Sequence, residues 1–93
     1  MKLSPLHMIL LKCIASILEE KNTLVKICDH LYDAQFLGVL GYAGFPTNTT
    51  ILNGEMNYLE ELGLIEQVEK KDNYIGHSVH YVITEEGYRL LND

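Results

Sequence analysis

Positively charged residues are scarce in this chain. Its 93 residues include 7 Lys and Arg against 13 Asp and Glu, which gives a formal net charge of −6 at pH 7. Duplex DNA is a polyanion, and its affinity for proteins comes largely from Lys and Arg that neutralise phosphates. The composition therefore favours a protein partner over a nucleic acid, although an acidic domain can bind DNA when its few cations lie on one face.

Cysteines and long apolar runs are scarce as well. Two cysteines, Cys13 and Cys28, are too few for the disulfide framework of a small secreted domain. The longest near-apolar run, residues 8–17, is interrupted by Lys12 and is shorter than the roughly 20 residues of a membrane span. Because the N-terminus also lacks a secretory signal pattern, we expect a cytoplasmic protein that does not contact a membrane.

Patterns that mark an enzyme or a metal site are missing from the sequence. There is no Ser-His-Asp order, no glycine-rich phosphate loop and no paired-carboxylate cleft. The spacing of His77 and His80 would point them to opposite faces of a strand, and no Cys or acidic residue stands at ligand spacing from them. We therefore expect no catalytic residues, no metal and no cofactor.

An apolar content of 47% is enough to build one domain, residues 1–93, around a buried core. Ser4-Pro5 predicts the start of a first helix, which ends near Lys21-Asn22. Its apolar residues cover a wide arc: Leu6, Ile9, Leu10, Cys13, Ile14, Ile17 and Leu18. Such a helix either lies centrally in the domain or buries a second face against another subunit.

The following region is predicted to be a helix and then an apolar turn. Thr23 can cap this second helix, and residues 22–24 can form a very short strand before it. Its buried stripe would be Leu24, Ile27, Cys28 and Leu31. From Asp33 to Pro46 the chain is least regular, because the helix runs on only a little before glycines at 38, 41 and 44 break it.

A third helix follows the segment Pro46-Thr47-Asn48-Thr49-Thr50, which is dense in N-cap residues. Gly63 ends this helix as a C′ glycine. One face is apolar and carries Leu52, Met56, Leu59 and Leu62. Another face carries Thr50, Asn53 and Asn57, and Gly54 beside them lets a backbone or phosphate come close.

The last third of the chain is predicted to form a β-hairpin and a short helix. Residues 64–71 and 79–83 have strand-like patterns, and residues 72–76 supply the turn. Thr84-Glu85-Glu86 then starts a short helix. The order helix, helix, helix, hairpin, short helix gives a mainly α fold with a small β-hairpin, of the α+β class.

Two segments, Tyr58–Ile65 (YLEELGLI) and Ile83–Leu91 (ITEEGYRLL), flank the hairpin and resemble the winged helix-turn-helix family. The resemblance covers nearly the whole chain, and it is greatest to MarR-like regulators and the small dimeric winged-helix proteins of hyperthermophilic archaeal viruses. The long connection from Asp33 to Pro46 departs from the tight turn of that family. The resemblance implies a homodimeric transcription regulator that binds double-stranded DNA sequence-specifically, in the host cytoplasm if the chain is viral.

The resemblance also implies where DNA would bind. The third helix would lie in the major groove, and the hairpin, as the wing, would reach the backbone or the minor groove. The amides of Asn53 and Asn57 can bond bidentately to adenine, and Thr50 can contact a base. Phosphate would be favoured at the helix N-terminus and at the wing tip. At the helix N-terminus these residues are Thr47, Asn48 and Thr49. At the wing tip they are Lys70, Lys71, Asn73 and Tyr74.

A less specific interpretation remains open for each of these residues. Exposed Thr and Asn side chains are usually just solvated, residues 47–49 would serve as caps in any protein, and a Lys pair often solubilises a strand edge. Glu55, Glu60 and Glu61 would repel phosphates. The alternative function is therefore a winged-helix module for protein–protein interaction, in which the first helix and the Phe36–Phe45 segment dock a partner without DNA.

Several states are open to the cysteines. If the first helix forms a two-fold interface, Cys13 could face its symmetry mate and form an intersubunit disulfide, which would suit a hot cytosol. A buried free thiol is the main alternative, and a Cys13–Cys28 bond within one chain is the third. We interpret Cys28 as a small buried hydrophobe. A homodimer would have the first helix at its interface, with the C-terminal helix as a further candidate.

Overall fold

The computed structural model describes residues 3–22, 24–28, 31–73 and 76–92, and within these ranges it excludes the side chains of residues 27, 28, 69–73 and 76–78. The described residues form four helices and four strands. The helices are α1 (Pro5–Lys21), α2 (Ala34–Tyr42), α3 (Thr49–Glu61) and α4 (Glu85–Asn92), and the strands are β1 (Leu24–Cys28), β2 (Leu31–Tyr32), β3 (Ile65–Asn73) and β4 (Gly76–Ile83). The α+β class is confirmed, with more β-structure than predicted.

All four strands belong to one antiparallel sheet in the order β2-β1-β4-β3. The β3–β4 hairpin pairs from Ile65 opposite Ile83 to Asn73 opposite Gly76. On its other side β4 pairs with β1, where Leu24 lies opposite Tyr81. The predicted hairpin is therefore present, but it forms one half of a larger sheet.

The predicted second helix is wrong, because residues 24–28 form β1 and residues 31–32 form β2. Apolar residues at 24, 27, 28 and 31 fit helical spacing, yet the β-branched Val25 and Ile27 also suit a strand. The backbone of β4 provides a pairing partner for β1. The sequence pattern of this segment is ambiguous by itself, and hydrogen bonding to a strand distant in sequence determines its secondary structure.

The helix α2 lies in the region predicted to be irregular. Asp33 is its N-cap, and the carboxylate accepts hydrogen bonds from the backbone N–H groups of Gln35 (2.8 Å) and Phe36 (3.4 Å). Phe36 and Leu40, one turn apart, are fully buried. The cap and this buried pair outweigh a cost of about 1 kcal/mol for each glycine inside the helix.

The helix α1 begins with Ser4 as N-cap and Pro5 at its first position, as predicted. It contacts α2, α4, β1 and β4. Its buried residues are Leu10, Leu11, Cys13, Ile14, Ile17 and Leu18. Most of the wide apolar arc of α1 is therefore covered within a single chain, although Leu6 stays 45% exposed. This helix is central to the core. No helix within the described residues is long and apolar enough to cross a membrane.

The C-terminal helix α4 packs by close backbone approach at Gly87. A Cβ atom there would lie 2.4 Å from the carbonyl oxygen of Leu64 and 2.6 Å from Cγ2 of Ile83. The Thr84 hydroxyl donates to the Gly63 carbonyl (2.6 Å) and accepts from the Gly87 N–H (3.1 Å). These contacts fix α4 against the junction between α3 and β3.

Candidate nucleic-acid interface

The helix α3 buries one face and exposes the other. Leu52, Met56 and Leu59 are at most 1% exposed and belong to the core. Gly63 has a φ of 76°, a left-handed conformation that glycine adopts without strain, and it follows the end of the helix as predicted. The exposed arc of α3, a term kept below, consists of Thr50, Ile51, Gly54, Asn57 and Glu61.

The predicted phosphate site at the start of α3 contains a working helix cap. The side-chain oxygen of Asn48 accepts from the backbone N–H groups of Thr50 (2.9 Å) and Ile51 (3.2 Å). These are two of the N–H groups that a phosphate would otherwise bind. Thr47 is exposed and Thr49 is half-buried. A phosphate at this position would therefore compete with Asn48.

Asn53 is attached to the sheet rather than projecting from α3. It is half-buried, and its Oδ1 accepts a hydrogen bond of 2.5 Å from the hydroxyl of Tyr32 in β2. A bidentate contact with adenine uses both the oxygen and the nitrogen of an Asn amide. An amide oxygen can accept two hydrogen bonds, so Asn53 would make that contact in the orientation that its bond to Tyr32 fixes. Thr50 and Asn57, in contrast, both lie on the exposed arc.

On its α1 side, α3 holds a carboxylate away from the exposed arc. Glu55 contacts Nε2 of His7, and the His7 ring lies 4.8 Å from the ring of Tyr58. Nδ1 of His7 accepts the backbone N–H of Ser4 at 3.1 Å, so Nε2 is the nitrogen that donates to Glu55. The first of the three carboxylates predicted to repel phosphate is thus held against α1.

The other two carboxylates differ from each other. Glu60 is half-buried beside β3, where Nε2 of Gln67 donates to it at 3.5 Å. Burial raises the pKa of Tyr81, and the nearby charge of Glu60 raises it further. Glu60 therefore faces the sheet. Glu61 lies on the exposed arc, where its charge opposes DNA binding.

Two of the described cations are paired at a distance from this arc. Lys21 bonds Asp33 at 3.0 Å, and Arg89 bonds its own helix neighbours Glu85 and Glu86. These pairs leave little positive charge for phosphates. Lys12, exposed on α1, makes no ion pair with any described residue.

Lys26, in contrast, lies beside α3. Its Nζ is 5.2 Å from the centroid of the Tyr32 ring, and Tyr32 is the residue that bonds Asn53. Lys26 is not among the predicted site residues, because residues 24–31 were predicted to be helical and Lys26 lies outside the predicted buried stripe. The strand-like composition of residues 24–28 (LVKIC) was the signal that could have found it.

The predicted wing-tip residues are placed only in part. Lys70, Lys71 and Asn73 occupy β3 opposite Val79, Ser78 and Gly76, toward the far end of the hairpin. Their side chains, and Tyr74 as a whole, lie outside the described residues. Phosphate contact by these residues therefore stays a prediction.

Cys13 is a free thiol with 5% of its surface exposed, and burial raises its pKa. An intersubunit disulfide at Cys13 stays a prediction, and it would require α1 to leave its place in the core. The side chain of Cys28 lies outside the described residues. Among the residues that are described, no group of three or more His, Cys, Asp or Glu could hold a metal ion.

Comparison with protein-family models, curated proteins and solved structures finds no significant match to this chain. The winged-helix assignment therefore continues to depend on the two segments quoted above and on the order of the elements.

Proposed function

We propose that this chain is a winged-helix domain that binds double-stranded DNA sequence-specifically as a transcription regulator. The helix α3 would lie in the major groove, and the β3–β4 hairpin would be the wing. The order of elements supports the proposal, because three helices precede the hairpin and a short helix follows it. Pairing of β4 with β1 supports it further, since it holds the base of the hairpin in the sheet beside α3.

The exposed arc of α3 is the observation that carries this proposal. Three of its five residues, Thr50, Gly54 and Asn57, are short and polar or lack a side chain. A helix is about 10–12 Å across with its side chains and the major groove is about 12 Å wide, so short side chains permit deep entry. Turning Glu55 toward His7 removes one negative charge from the groove-facing side.

A homodimer is part of the proposal, because a chain with 7 Lys and Arg against 13 Asp and Glu is a weak DNA binder as a single subunit. Two subunits would contact half-sites about one helical turn apart. Since α1 buries most of its apolar arc within the chain, a dimer interface would use the apolar residues that α1 and α4 leave exposed. Leu6 and Tyr88, which are 45% and 46% exposed, are the large apolar residues there.

A pair of glycine substitutions tests the proposal without weakening the fold. Apart from the two chain neighbours and the backbone of the same helix, no heavy atom of the described residues lies within 4 Å of a Cβ placed at Gly54 or at Gly38. Either Gly→Ala change should therefore stabilise its helix by about 0.5–1 kcal/mol and raise Tm. Gly54→Ala also adds a methyl group to the exposed arc, and we expect it to weaken DNA binding by about tenfold, or about 1.4 kcal/mol.

Gly38→Ala in α2 is the matched control, with a higher Tm and unchanged DNA affinity. The DNA is first selected from a random pool by the wild type and then titrated over a salt series by fluorescence anisotropy. If the wild type prefers no sequence and its Kd stays between about 10⁻⁴ and 10⁻⁶ M, the range of non-specific binding, the proposal is wrong.

One observation favours the second candidate function, binding of a protein partner. Tyr42 at the end of α2 is 97% exposed, and α2 carries no charged residue along its length. Phe36 and Phe45 are buried and cannot dock a partner from this fold, so the docking residue would be Tyr42. A stoichiometric protein partner that is lost with Tyr42→Ser, together with no DNA affinity at low salt, would support this alternative.

A further inference from the structure

Beside α3, three residues from three different elements form what we name the Lys26 cluster, consisting of Lys26, Tyr32 and Asn53. Lys26 in β1 pairs across the strands with Tyr32 in β2. Tyr32 in turn donates to Asn53 in α3 at 2.5 Å. A strand, a sheet edge and the candidate DNA-binding helix are thus connected through one buried phenol.

The position of Lys26 in the sheet explains why it lies near α3. Side chains two residues apart on a strand share a face, so Lys26 lies on the same face as Leu24. Leu24 is fully buried, and its cross-strand partner Tyr81 is 3% exposed, so this face carries the core. Lysine in such a place lays its aliphatic stem on apolar surface and directs its ammonium group to water at the edge.

Few groups among the described residues could compete with a phosphate for the ammonium group of Lys26. It makes no ion pair with any of them, and its Nζ atom lies 5.2 Å from the centroid of the Tyr32 ring. An ammonium group over an aromatic face is attracted to it and keeps N–H donors for another acceptor. Lys26 is therefore a cation that no carboxylate of the described residues neutralises.

The two flanks of α3 differ in charge because of this cluster. Glu55 lies on one flank and is held by His7, whereas Asn53 on the other flank is joined to Tyr32 and Lys26. A helix inserted into the major groove has a sugar–phosphate backbone on each side. The Lys26 flank is the one on which the described residues offer a positive charge to a phosphate.

We propose that Lys26 contacts a backbone phosphate of the duplex bound by α3, and that Tyr32 is a positioning residue that fixes both Lys26 and Asn53. This inference rests on the proposed DNA-binding function and assigns the contact on one flank of the helix. Tyr32 itself is 4% exposed and touches no DNA. It acts through the two residues that it holds.

The salt dependence of binding separates this inference from the proposed function. Each phosphate contact to duplex DNA contributes about −0.9 to the slope of log K against log salt concentration. Lys26→Gln should make the slope shallower by about one and weaken preferred and scrambled duplexes equally. Lys26→Met, which keeps an apolar stem, should do the same, whereas Lys26→Arg should restore the slope because it keeps the charge. Lys12→Gln on α1 is the control and should leave the slope unchanged.

Tyr32→Phe tests the positioning role, because it keeps the aromatic ring beneath Lys26 and removes the hydroxyl that bonds Asn53. We expect an unchanged salt slope and a loss of about tenfold in discrimination between preferred and scrambled duplexes. A changed slope with intact discrimination would overturn this role.

The possible failures are distinguishable. If the wild type prefers no duplex, the proposed function is wrong and the inference falls with it. If the wild type prefers a sequence but Lys26→Gln and Lys26→Met retain its slope, only the phosphate contact is wrong. Circular dichroism melting of each variant confirms that the compared proteins are folded.

Discussion

The two flanks of α3 are held by different chemistry. On the α1 side, Glu55 contacts His7 while about a third of its side chain, 32%, stays exposed to solvent. On the sheet side, Asn53 bonds a tyrosine that is 4% exposed. Exposed ion pairs contribute little to stability, whereas an unsatisfied buried polar group is costly. The sheet side therefore fixes the position of α3, whereas the α1 side mainly holds a negative charge away from the exposed arc.

The largest expected loss of stability comes from a substitution on the sheet side of α3. Asn53→Ala removes the acceptor of the Tyr32 hydroxyl and should lower the free energy of unfolding by about 1–3 kcal/mol. In a Tyr32→Phe background the same change should cost less, since no buried hydroxyl is left without its acceptor. Urea unfolding of the four proteins measures this coupling. Additive effects of the two substitutions would show that the bond does not hold α3.

Alkaline pH should weaken the same flank. Burial, and after it the neighbouring Tyr81, raises the pKa of Tyr32 above its ordinary value of about 10. The folded state thus favours the protonated phenol, so its contribution is complete below about pH 10 and is lost as pH rises through the raised pKa. Tm should fall above pH 10, and more steeply in the wild type than in Tyr32→Phe. Identical alkaline profiles would contradict this account.

Acid should instead weaken the attachment of α2 to α1, through the Asp33–Lys21 pair. Burial acts to raise the pKa of Asp33, but hydrogen bonds from Lys21 and from the backbone N–H groups of Gln35 and Phe36 outweigh it and lower the pKa. The resulting stability is present above about pH 4 and is lost as pH falls through the lowered pKa.

Asp33→Ala should therefore cost about 1 kcal/mol at neutral pH, because it also removes the N-cap of α2. The cost should shrink as pH falls below about 4, because Asp33 then becomes protonated, first in the unfolded and then in the folded state. Asp33→Asn is the matched control, since it keeps a capping side chain and removes only the charge. A pH-independent cost of Asp33→Ala in thermal melts would argue against this assignment.

The smallest expected effects concern the two carboxylates that distinguish the α1 flank from the exposed arc. Glu55→Gln should change stability by no more than about 0.5 kcal/mol, since the pair is partly exposed. Glu61→Gln on the exposed arc should raise DNA affinity by about twofold, and Glu55→Gln should raise it less. Equal gains, measured by anisotropy at one salt concentration, would mean that His7 does not shield Glu55.

Much of the fold was predictable from local signals. Ser4-Pro5, the N-cap residues before α3, Gly63, and Thr84 all mark element ends, and the structure confirms the helices that they bound. The α2 region was not predicted, because its glycines were given more weight than the Asp33 cap and the buried pair of Phe36 and Leu40. β1 was missed because its partner β4 lies some 50 positions further along the chain.

Some features of the candidate site were likewise predictable from local signals, and others were not. Helical periodicity was enough to place Thr50 and Asn57 on the exposed arc. The position of Lys26 depends on the pairing of β2 with β1, whereas the bond from Tyr32 to Asn53 joins residues 21 positions apart. Such a long-range contact leaves no periodic signal in the sequence, so the Tyr32–Asn53 bond could be found only in the structure.

Chemical-shift mapping by NMR tests the central claim most directly. A duplex selected by the wild type is titrated into ¹⁵N-labelled protein at low salt, and the perturbed backbone amides are assigned. The account predicts the largest shifts in α3, at Thr50, Gly54 and Asn57, with a smaller group at Lys26. Shifts confined to α2 around Tyr42, or no saturable shifts at all, would contradict DNA recognition by α3.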